Sequence, residues 1–580
     1  MKLRKLIIEN FRGIHNMEWD LSGDMVCLVG PGDSTKSTIL LALEYIFSPS
    51  WNLPVNDTDF YQMNVESPIK ISAVITELPD TLISEDKFGL FLGFWNKVDY
   101  IHTEQQSDED QKALLIRLTI KSDLEPEWEI ISIQTDEREP QKIYASDRRS
   151  LGVARIGNYT EADLAWGRNS ALSRLTQKED LSQIPSMLAE AERNVIKALD
   201  TMDFNALSQS IQEVIPNAQS LGIDAQSEFR AGMDPLRINL RQGAIALFDG
   251  NLPLSLRGAG SRRLMVMAIH KSAVKEGAII LVDEIENSLE PYRLRHLIRQ
   301  LRPKDGEKHQ VIFTTHSSDV LVECNSNELY VTNSKDGKTT ISSVGEDLQA
   351  IVRSIPEAFL CRKVVVCEGK TEAGLLISLD KNFWQERHQQ TTSRFRYLTM
   401  AEAGVAPVES PKSGGTEAPK YAIALANLKY RVTYFGDSDC DLNPSEEQMK
   451  AGGVEEILIW GGCVEIERRL CLDFPLTSLK EFIDLAVDLK GNSQSVWDKI
   501  YEQLPKNISL TRKQDFDTLV TEVEEATLRE CLGKAADKGE WFKRHDKGMA
   551  LGKLLSNYLS DMQDTPTMAT LNFLEKWCYE

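Results

Sequence analysis

Two groups of residues have the types and spacing needed for chemistry on phosphates. The first begins at VGPGDSTKST, residues 29 to 38, which nearly matches the phosphate-loop pattern G-x-x-x-x-G-K-[ST]. In such a loop the backbone N–H groups bind phosphate oxygens, the lysine reaches the terminal phosphates and the hydroxyl binds Mg²⁺. The residues predicted to bind nucleotide here are Gly30, Gly32, Ser34, Thr35, Lys36, Ser37 and Thr38, with Ser37 as a metal ligand.

Thr35 stands where the pattern has its second glycine. A threonine held at positive φ there would cost roughly 1 to 3 kcal/mol, because a β-branched side chain restricts the backbone. The loop alone therefore leaves nucleotide binding open. The departure predicts tight or slow use of ATP, as in a regulatory gate rather than a motor.

Three further segments extend this first group. AIILVDEIE ends an apolar strand on Asp283 and Glu284, which suit a Mg²⁺-associated carboxylate and a water-activating base. VIFTTHSSD ends another strand near His316, which is placed to sense the terminal phosphate. Taken singly, the acidic pair is also compatible with a surface strand end, and His316 with an ordinary strand-end histidine. LSLRGAGSRRL is a glycine turn entering a helix, suited to contacting phosphate through Gly258, Gly260 and Ser261.

The second group is a set of carboxylates at predicted strand ends. CEGKTEAGLL contains Glu368 and Glu372, and FGDSDCDL contains Asp437 and Asp439. Ligands of open α/β sheets gather at the carboxyl ends of strands, so these acids are expected to converge. Oxygen-only ligands favour Mg²⁺ or Mn²⁺ over zinc. D-S-D by itself is also typical of a solvated turn.

Two later segments add to the carboxylates. WGGCVEIERRL supplies Glu467 as the preferred further metal ligand and Glu465 as the fallback. Near the C-terminus, GEWFKRHDKG places Lys543 among two aromatic residues and several charges. A surface lysine is the ordinary interpretation of that position.

The apolar pattern predicts the elements that position these residues. Period-2 spacing indicates antiparallel strands, and continuous apolar runs before the motifs indicate buried strands. Strands are predicted at 3–9, 25–29, 69–78, 114–122, 128–136, 278–286, 310–316, 363–367, 396–400, 432–437 and 456–462. A helix is predicted from Ser37 onward, and helices dominate beyond residue 475.

The segments between these elements complete the predicted organisation. Residues 160–230 are predicted to be helical, either as packed core or as an insertion used for subunit contact. A polar linker is predicted at 333–347, and a mobile loop at 402–419. The fold class is α/β, with domains at 1–355 and 356–580.

Composition restricts the class of protein. A chain of 580 residues exceeds a single core and predicts roughly two to four domains. The net charge of −22 argues against a general polyanion binder, so nucleic acid contact requires local basic patches or divalent cations. The 9 cysteines contain no C-x-x-C pair, and the longest apolar block is too short to span a bilayer. A cytoplasmic protein without membrane integration is expected.

The order of loop, GAGS turn, DE strand and His strand resembles the ATP-binding-cassette (ABC) ATPase head. In that family ATP is held between two heads, so the resemblance implies a homodimer or higher homo-oligomer, with Gly258, Gly260 and Ser261 acting on the partner's nucleotide. Glu286 and the SLEP segment that follows resemble the loop coupling the two sites. DTDFYQ, residues 57 to 62, is the candidate for the family's glutamine loop.

E-G-x-x-E followed by D-x-D resembles the Toprim domain. A cassette ATPase head joined to a Toprim domain with a late lysine resembles the OLD (overcoming lysogenisation defect) family of nucleases along nearly the whole chain. The resemblance implies a DNA endonuclease that uses Mg²⁺ or Mn²⁺ and is regulated by its ATPase dimer. Its implied catalytic residues are Glu368, Asp437, Asp439, Glu467 and Lys543, with Glu284 for ATP; its implied metal ligands are Glu368, Glu372, Asp437, Asp439, Glu465 and Glu467.

Members of that family serve in bacterial anti-phage defence, of the Gabija type with a helicase or the retron type with a reverse transcriptase and its nucleic acid. This chain contains no helicase or polymerase motif, so a separate partner would supply such an activity. Two other hypotheses stay open at the level of sequence. One is an ATP-dependent DNA-binding protein of the recombination-repair type, and the other is an ATP-sensing scaffold without nuclease activity.

Overall fold

The computed structural model describes most of the chain. The described residues are 1–96, 100–102, 107, 110–132, 139–156, 164–165, 172, 184–200, 212, 246–273, 278–304, 306–390, 396–410, 416–437, 442–461, 465–506, 508 and 510–580.

The strands of the described part form one large sheet, one small parallel sheet and a hairpin. They are β1 (Lys2–Phe11), β2 (Ile14–Asp20), β3 (Met25–Val29), β4 (Ile69–Thr76), β5 (Gly93–Trp95), β6 (Tyr100–His102), β7 (Gln111–Ile120), β8 (Pro126–Ile131), β9 (Gln141–Lys142), β10 (Val153–Ile156), β11 (Phe248–Asp249), β12 (Leu252–Pro253), β13 (Ile279–Val282), β14 (Gln310–Thr314), β15 (Leu329–Lys335), β16 (Lys338–Ser343), β17 (Lys363–Cys367), β18 (Val405–Glu409), β19 (Arg431–Gly436) and β20 (Glu456–Ile459).

The helices flank these sheets and dominate the C-terminal part. They are α1 (Lys36–Ile46), α2 (Asp80–Ile83), α3 (Ala145–Ser150), α4 (Ile184–Asp200), α5 (Ala259–Ala273), α6 (Pro291–Leu301), α7 (Ser318–Glu323), α8 (Gln349–Ser354), α9 (Lys370–Leu379), α10 (Gln385–Gln390), α11 (Glu417–Asn427), α12 (Glu446–Ala451), α13 (Ile466–Asp473), α14 (Ser478–Lys490), α15 (Ser493–Gln503), α16 (Phe516–Glu522), α17 (Glu525–Lys538), α18 (His545–Ser556) and α19 (Pro566–Tyr579).

The first half of the large sheet is parallel and positions the nucleotide motifs. Its strands follow the order β10-β13-β14-β3-β15, and β3, β13 and β14 are buried along their whole length. Parallel strands are covered on both faces, which is why these segments are continuous apolar runs. The predicted strand–loop–helix unit is confirmed, because β3 leads through the loop into α1.

The second half of the large sheet is mainly antiparallel. Strand β1 pairs with β2 and β4, β4 pairs with β7, and β7 pairs with β8, which confirms the predicted antiparallel extension. The buried residues of β7 mostly alternate with more exposed ones, as expected when one face packs on the core. Of the helical region predicted at 160–230, α4 is helical, and most of the remainder lies outside the described residues.

The prediction of a polar linker at residues 333–347 was wrong. Residues 329–343 form the hairpin β15–β16, in which β15 pairs with β3 and β16 with β2. Asp336 and Gly337 both have positive φ at its turn, the arrangement that an Asp-Gly pair favours in a two-residue hairpin. The hairpin therefore joins the parallel and antiparallel halves of the sheet.

The second α/β region is built on a four-stranded parallel sheet, ordered β18-β17-β19-β20. The prediction of a strand at residues 396–400 was wrong, because this segment consists of bends and a turn. The fourth strand is β18, inside the segment 402–419 that was predicted to be a mobile loop. The sequence did not predict this strand because it contains Pro407, and proline usually argues against a strand. At the edge of a sheet proline is tolerated, because its missing N–H is not needed for pairing.

The predicted boundary between residues 355 and 356 stays a prediction, because the two regions share buried contacts. One apolar cluster includes Val352 of the first region and Phe359 and Tyr430 of the second. The Tyr430 hydroxyl donates a hydrogen bond to the Phe359 carbonyl at 2.7 Å. The Asn333 side chain of β15 donates to the Leu428 carbonyl, just before β19, at 2.8 Å.

Helices α9 and α18 pack so closely where they cross that a glycine of each helix lies against the backbone of the other. A Cβ added at Gly374 would lie 2.2 Å from the His545 carbonyl oxygen, and one at Gly548 would lie 2.5 Å from that of Thr371. Side chains are therefore excluded from the crossing. The crossing fixes the start of α18, and with it the preceding Lys543, against the helix that carries Glu372.

Substitution at this crossing should destabilise the protein. We expect Gly548→Ala to lower the free energy of unfolding by about 1 to 3 kcal/mol, because the added methyl overpacks a backbone contact. The measurement is urea unfolding followed by circular dichroism. The matched control is Gly345→Ala, whose Cβ would meet no described atom within 4 Å. Equal urea midpoints for the two variants would contradict the close crossing.

Candidate functional site

The predicted phosphate loop lies between β3 and α1. It contains Gly30, Gly32, Ser34 and Thr35, and α1 begins with Lys36, Ser37 and Thr38. Thr35 has φ 65° and ψ 11°, the left-handed conformation that the glycine pattern requires. Its hydroxyl donates to the Ser34 carbonyl at 2.7 Å and lies 3.2 Å from the Thr339 hydroxyl of β16. The loop thus keeps its glycine geometry at the cost of a strained threonine.

Lys36 lies inside the loop with 5% of its surface exposed. Its ammonium group donates to the carbonyls of Gly30 and Pro31 at 3.0 and 2.9 Å and to the Ser34 hydroxyl at 3.0 Å. Burial lowers the pKa of Lys36 to about 8, although nearby acids, first Asp33, partly offset this effect. A phosphate group in the loop would supply the negative charge that this buried cation favours.

Ser37 and Asp283 lie side by side, as expected for a hydroxyl and a carboxylate that hold Mg²⁺ at a nucleotide. The Ser37 hydroxyl donates to Asp283 Oδ1 at 3.1 Å, and the Thr314 hydroxyl donates to the same oxygen at 2.7 Å. Arg155 of β10 contacts Asp283 Oδ2 at 3.4 Å and also pairs with Glu44. Sequence reasoning missed Arg155, because its role depends on β10 pairing with β13, which no local motif indicates.

Glu284 follows Asp283 in a sharp turn with φ 44°. Its backbone N–H donates to the Thr314 hydroxyl at 2.8 Å, and the Asn287 side chain donates to Glu284 Oε2 at 2.7 Å. The buried Arg263 donates to the carbonyls of Asp283 and Glu284 at 2.9 and 2.8 Å. Because Arg263 belongs to α5, the helix opened by the glycine turn is tied directly to the acidic strand end.

His316 is positioned by Glu286. One carboxylate oxygen of Glu286 accepts from the Thr315 hydroxyl at 2.8 Å, and the other accepts from the His316 backbone N–H at 2.7 Å. The loop, the acidic pair and His316 therefore follow neighbouring parallel strands at one edge of the sheet. The structure thus brings these predicted residues to one place, and nucleotide binding by them stays a prediction.

The glycine turn contacts the segment after the acidic pair. A Cβ at Gly260 would lie 2.5 Å from the Ser288 carbonyl, and Arg293 lies 3.3 Å from the Ser261 hydroxyl. Gly258 immediately precedes α5. Action of this turn on a partner's nucleotide stays a prediction, as does the glutamine-loop role of residues 57–62.

The carboxylates of the second region gather at the carboxyl end of the small parallel sheet. Glu368 follows β17, and its Oε2 accepts from the Tyr434 hydroxyl at 3.1 Å and the Asp437 N–H at 2.9 Å. Asp437 follows β19, and its Oδ1 accepts from the Ile466 N–H at 2.9 Å. These bonds connect the ends of β17, β19 and α13.

Burial and mutual repulsion act on these acids together. Burial raises the pKa of Glu372 to about 7, and the charges of Glu467 and Glu368 add to the effect. Burial also raises the pKa of Asp437 well above its ordinary value, with further contributions from Glu372, Glu467 and Glu368. Four predicted site residues are thus close enough to repel one another.

Glu467, at the start of α13, is 1% exposed, and neither carboxylate oxygen has a hydrogen-bond partner among the described residues. Burial raises its pKa, while the Lys543 ammonium opposes this effect. For Lys543, burial lowers the pKa, but Glu467 and Asp537 outweigh it and raise the pKa overall. Lys543 also pairs with Asp537 at 2.9 Å, a partner that sequence reasoning missed.

A divalent cation fits this donor set. Buried carboxylates that repel one another require a compensating charge, and their oxygens are the ligands that Mg²⁺ and Mn²⁺ prefer. Among the described residues, no group of three or more His, Cys, Asp or Glu side chains is already arranged so that it could hold a metal ion. Asp439 lies outside the described residues. Glu465, which also has one buried unpartnered oxygen, stands at the N-cap position of α13, two residues before Glu467, and its side chain makes no capping hydrogen bond. The metal site itself stays a prediction.

The first region defines the class of protein. Residues 25–323, more than half of the chain, match the family described as "AAA domain, putative AbiEii toxin, Type IV TA system". The chain belongs to this family of AAA-domain proteins, which agrees with the phosphate loop and the acidic strand end described above.

Similarity to curated proteins extends into the second region. The chain is 22% identical over 382 residues to the OLD nuclease of Thermus scotoductus, covering 62% of this chain and 67% of the relative. It is 20% identical over 428 residues to the Old nuclease of Escherichia phage P2, covering 66% and 70%. The resemblance to the OLD family is thereby confirmed.

Two other proteins are similar to part of this chain. The chain is 21% identical over 349 residues to the ATP/GTP phosphatase of Helicobacter pylori, covering 55% of this chain and 86% of the relative. Among solved structures, the SMC head bound to the C-winged helix domain of ScpA covers 60% of this chain and 98% of its own length, with 13% identity and a TM-score of 0.34.

Within the described residues, every helix is too short or too polar to cross a membrane.

Thr35 generates a prediction about ATP turnover. We expect Thr35→Gly to speed steady-state ATP hydrolysis by up to roughly tenfold, since about 1.4 kcal/mol of relieved strain corresponds to that factor. Thr35→Val is the matched control, because it keeps the β-branch and should stay slow. Phosphate release under saturating ATP is the measurement. A rate for Thr35→Gly that is unchanged or lower would contradict this interpretation of the loop.

Proposed function

We propose that this protein is an ATP-regulated nuclease that hydrolyses phosphodiester bonds of DNA with Mg²⁺ or Mn²⁺. The observation that carries the proposal is the buried Glu467, whose unpartnered carboxylate lies with Glu372 and Asp437 beside the Lys543 ammonium. Binding alone does not require a lysine next to a cation site. The relatives named OLD nuclease support the same activity.

In the proposed hydrolysis of the phosphodiester bond, the divalent cations and the protein side chains have different roles. Glu368, Glu372, Asp437 and Glu467 would hold the metal, together with Asp439. Divalent cations bound there supply an activated water and stabilise the leaving 3′ oxygen. Lys543 places its ammonium where negative charge develops on the phosphate, and Asp537 orients that ammonium. Tyr434 holds Glu368 in place through its hydroxyl.

The first region would bind and hydrolyse ATP. Lys36 contacts the terminal phosphates, Ser37 and Asp283 hold Mg²⁺, and Glu284 activates water, with His316 near the terminal phosphate. The AAA family match supports nucleotide binding, and the ATP/GTP phosphatase relative supports hydrolysis. A homodimer or higher assembly through the ATPase heads, with the glycine turn on the partner's nucleotide, extends the ABC resemblance.

A series of contacts supports regulation of the nuclease by ATP. The phosphate loop contacts β16 through Thr35 and Thr339. Strand β15, paired with β16, contacts the segment before β19 through Asn333 and Leu428. Because β19 delivers Asp437, a shift of the loop on ATP binding would reach the carboxylates through these elements.

The biological setting follows from the OLD resemblance. We place the protein in the bacterial cytoplasm as the effector of an anti-phage defence system. Its partner would be a helicase or a reverse transcriptase with its nucleic acid.

Cleavage should depend on the buried carboxylates. Supercoiled plasmid incubated with the protein and Mn²⁺ or Mg²⁺, with and without ATP, should be nicked and linearised. Asp437→Ala and Glu467→Gln should each slow this reaction by at least roughly 100-fold, the size of effect seen when a supporting metal-site group is removed. Agarose gels report the rate.

The matched control is Asp488→Ala, an exposed carboxylate of α14, which should cleave at the unaltered rate. Cleavage that persists in Asp437→Ala would show that the activity arises elsewhere. Absence of cleavage in the unaltered protein with every metal and nucleotide combination would favour the ATP-sensing scaffold.

The Asn333 contact should couple the two regions. Asn333→Ala removes its hydrogen bond to Leu428, so we expect cleavage to continue without ATP while the ATP-dependent change in cleavage rate shrinks at least roughly fivefold, for a coupling of about 1 kcal/mol. The control is Asn557→Ala, an exposed asparagine after α18. An unchanged ATP response in Asn333→Ala would exclude this contact from the coupling.

A further inference from the structure

The backbone turn that carries Glu284 is strained. Glu284 has φ 44°, in the left-handed region that residues with a side chain seldom adopt. Such a conformation persists only where the surrounding contacts hold it in place. The contacts of this turn therefore decide where the Glu284 carboxylate lies.

One nitrogen of Arg263 binds the peptide groups on both sides of Glu284. Arg263 Nη2 donates to the Asp283 carbonyl at 2.9 Å and to the Glu284 carbonyl at 2.8 Å. The φ angle of Glu284 orients the first of these peptide groups and its ψ angle orients the second, so a shared donor restrains both torsions. Thr314 holds the N–H side, because its hydroxyl accepts from the Glu284 N–H at 2.8 Å and its carbonyl accepts from the Ile285 N–H at 3.1 Å.

Asp283 depends less on Arg263 than Glu284 does. The carboxylate of Asp283 contacts side chains from other elements, namely Ser37, Thr314 and Arg155. The Glu284 carboxylate accepts a hydrogen bond from the Asn287 side chain, which belongs to the same turn. A contact inside one turn does not fix that turn relative to the phosphate loop. Loss of Arg263 should therefore displace Glu284 in particular.

Arg263 has a fixed position from which to hold this turn. It is buried in the second turn of α5. Burial lowers the pKa of Arg263, and the charges of Glu286, Glu284 and Asp283 oppose this effect. The start of the same helix also packs tightly, because a Cβ added at Gly260 would lie 2.5 Å from a backbone carbonyl of the segment after the acidic pair.

The position of Glu284 matters for the role proposed for it. A general base acts only when its oxygen lies within hydrogen-bond reach of the water that it activates. A displacement of about 1 Å can slow an enzyme roughly 100-fold. Contacts that fix the Glu284 backbone therefore bear directly on the rate of ATP hydrolysis.

We propose that Arg263 is a positioning residue for ATP hydrolysis, whose guanidinium holds the Glu284 turn so that the carboxylate can activate water. The inference rests on the proposed ATPase function and adds the residue that places its base. Because the guanidinium is buried against the protein backbone, its loss should change the rate of hydrolysis and leave ATP binding intact.

Two substitutions separate position from charge. Arg263→Met removes both the donor and the charge, whereas Arg263→Lys keeps the charge but lacks the planar guanidinium. The kcat of the full chain with saturating ATP and Mg²⁺ is measured by phosphate release. ATP affinity is measured by titration with a fluorescent ATP analogue. Arg149→Met is the matched control, since Arg149 is an exposed arginine of α3.

We expect Arg263→Met to lower kcat roughly 10- to 100-fold, as when a catalytic group is misplaced by about 1 Å, with unchanged ATP affinity. Arg263→Lys should also be slow. In a Glu284→Gln background, adding Arg263→Met should cause little further loss, because residues that act as a unit are not additive. The control should match the unaltered protein in rate and affinity.

A kcat near the unaltered value in Arg263→Met, a full rate in Arg263→Lys, or an equal further loss in the Glu284→Gln background would overturn the proposal. Weakened ATP binding with an unaltered kcat would do the same. If Arg263→Met has a lowered melting temperature, Arg263→Lys and its combination with Glu284→Gln decide.

Failure of this inference is distinguishable from failure of the ATPase function. Hydrolysis that is lost in Glu284→Gln but normal in both Arg263 variants would overturn the inference alone. Absence of hydrolysis in the unaltered protein would overturn the ATPase function and the inference together.

Discussion

Mutual repulsion among buried carboxylates is the constraint that shapes the second region. Glu372 in α9, Asp437 after β19 and Glu467 in the first turn of α13 lie close enough for their charges to interact, although burial raises the pKa of each. Folding alone gives no reason to keep three such groups close together. The Lys543 ammonium offsets part of the charge, and the glycine crossing of α9 and α18 keeps it there. A divalent cation bound as proposed would offset the remainder.

The candidate sites of the two regions have a similar arrangement. In each, parallel strands deliver acidic residues to one sheet edge, and a lysine lies nearby: the buried Lys36 with Asp283 in the first region, and the more exposed Lys543 with Glu467 in the second. The hairpin β15–β16 lies between them and contacts both the phosphate loop and the segment before β19. The placement of this hairpin supplies a physical basis for the proposed nucleotide control of the second site.

Local pattern predicted the motifs and most of the elements around them, because a buried strand followed by a glycine loop or an acidic pair is specified within a few residues. Local sequence patterns could not predict side-chain partners that come from elements distant in the sequence. Arg155 reaches Asp283 only through the pairing of β10 with β13, and Asp537 reaches Lys543 only through helix packing. The Asp336-Gly337 pair is typical of a two-residue hairpin turn, but the polar residues around it led to the prediction of a linker. Strand β18 was missed because it contains a proline, Pro407, which is tolerated there at the sheet edge.

The most direct measurement of the central claim is Mn²⁺ binding by isothermal titration calorimetry without nucleotide. Ser37→Ala removes a ligand of the nucleotide site, and Glu467→Gln neutralises the buried carboxylate of the second region. The account predicts that Ser37→Ala retains Mn²⁺ binding and that Glu467→Gln loses at least one ion or weakens its binding at least roughly tenfold. Unchanged Mn²⁺ binding in Glu467→Gln, or its loss in Ser37→Ala alone, would contradict a metal centre at the carboxylates.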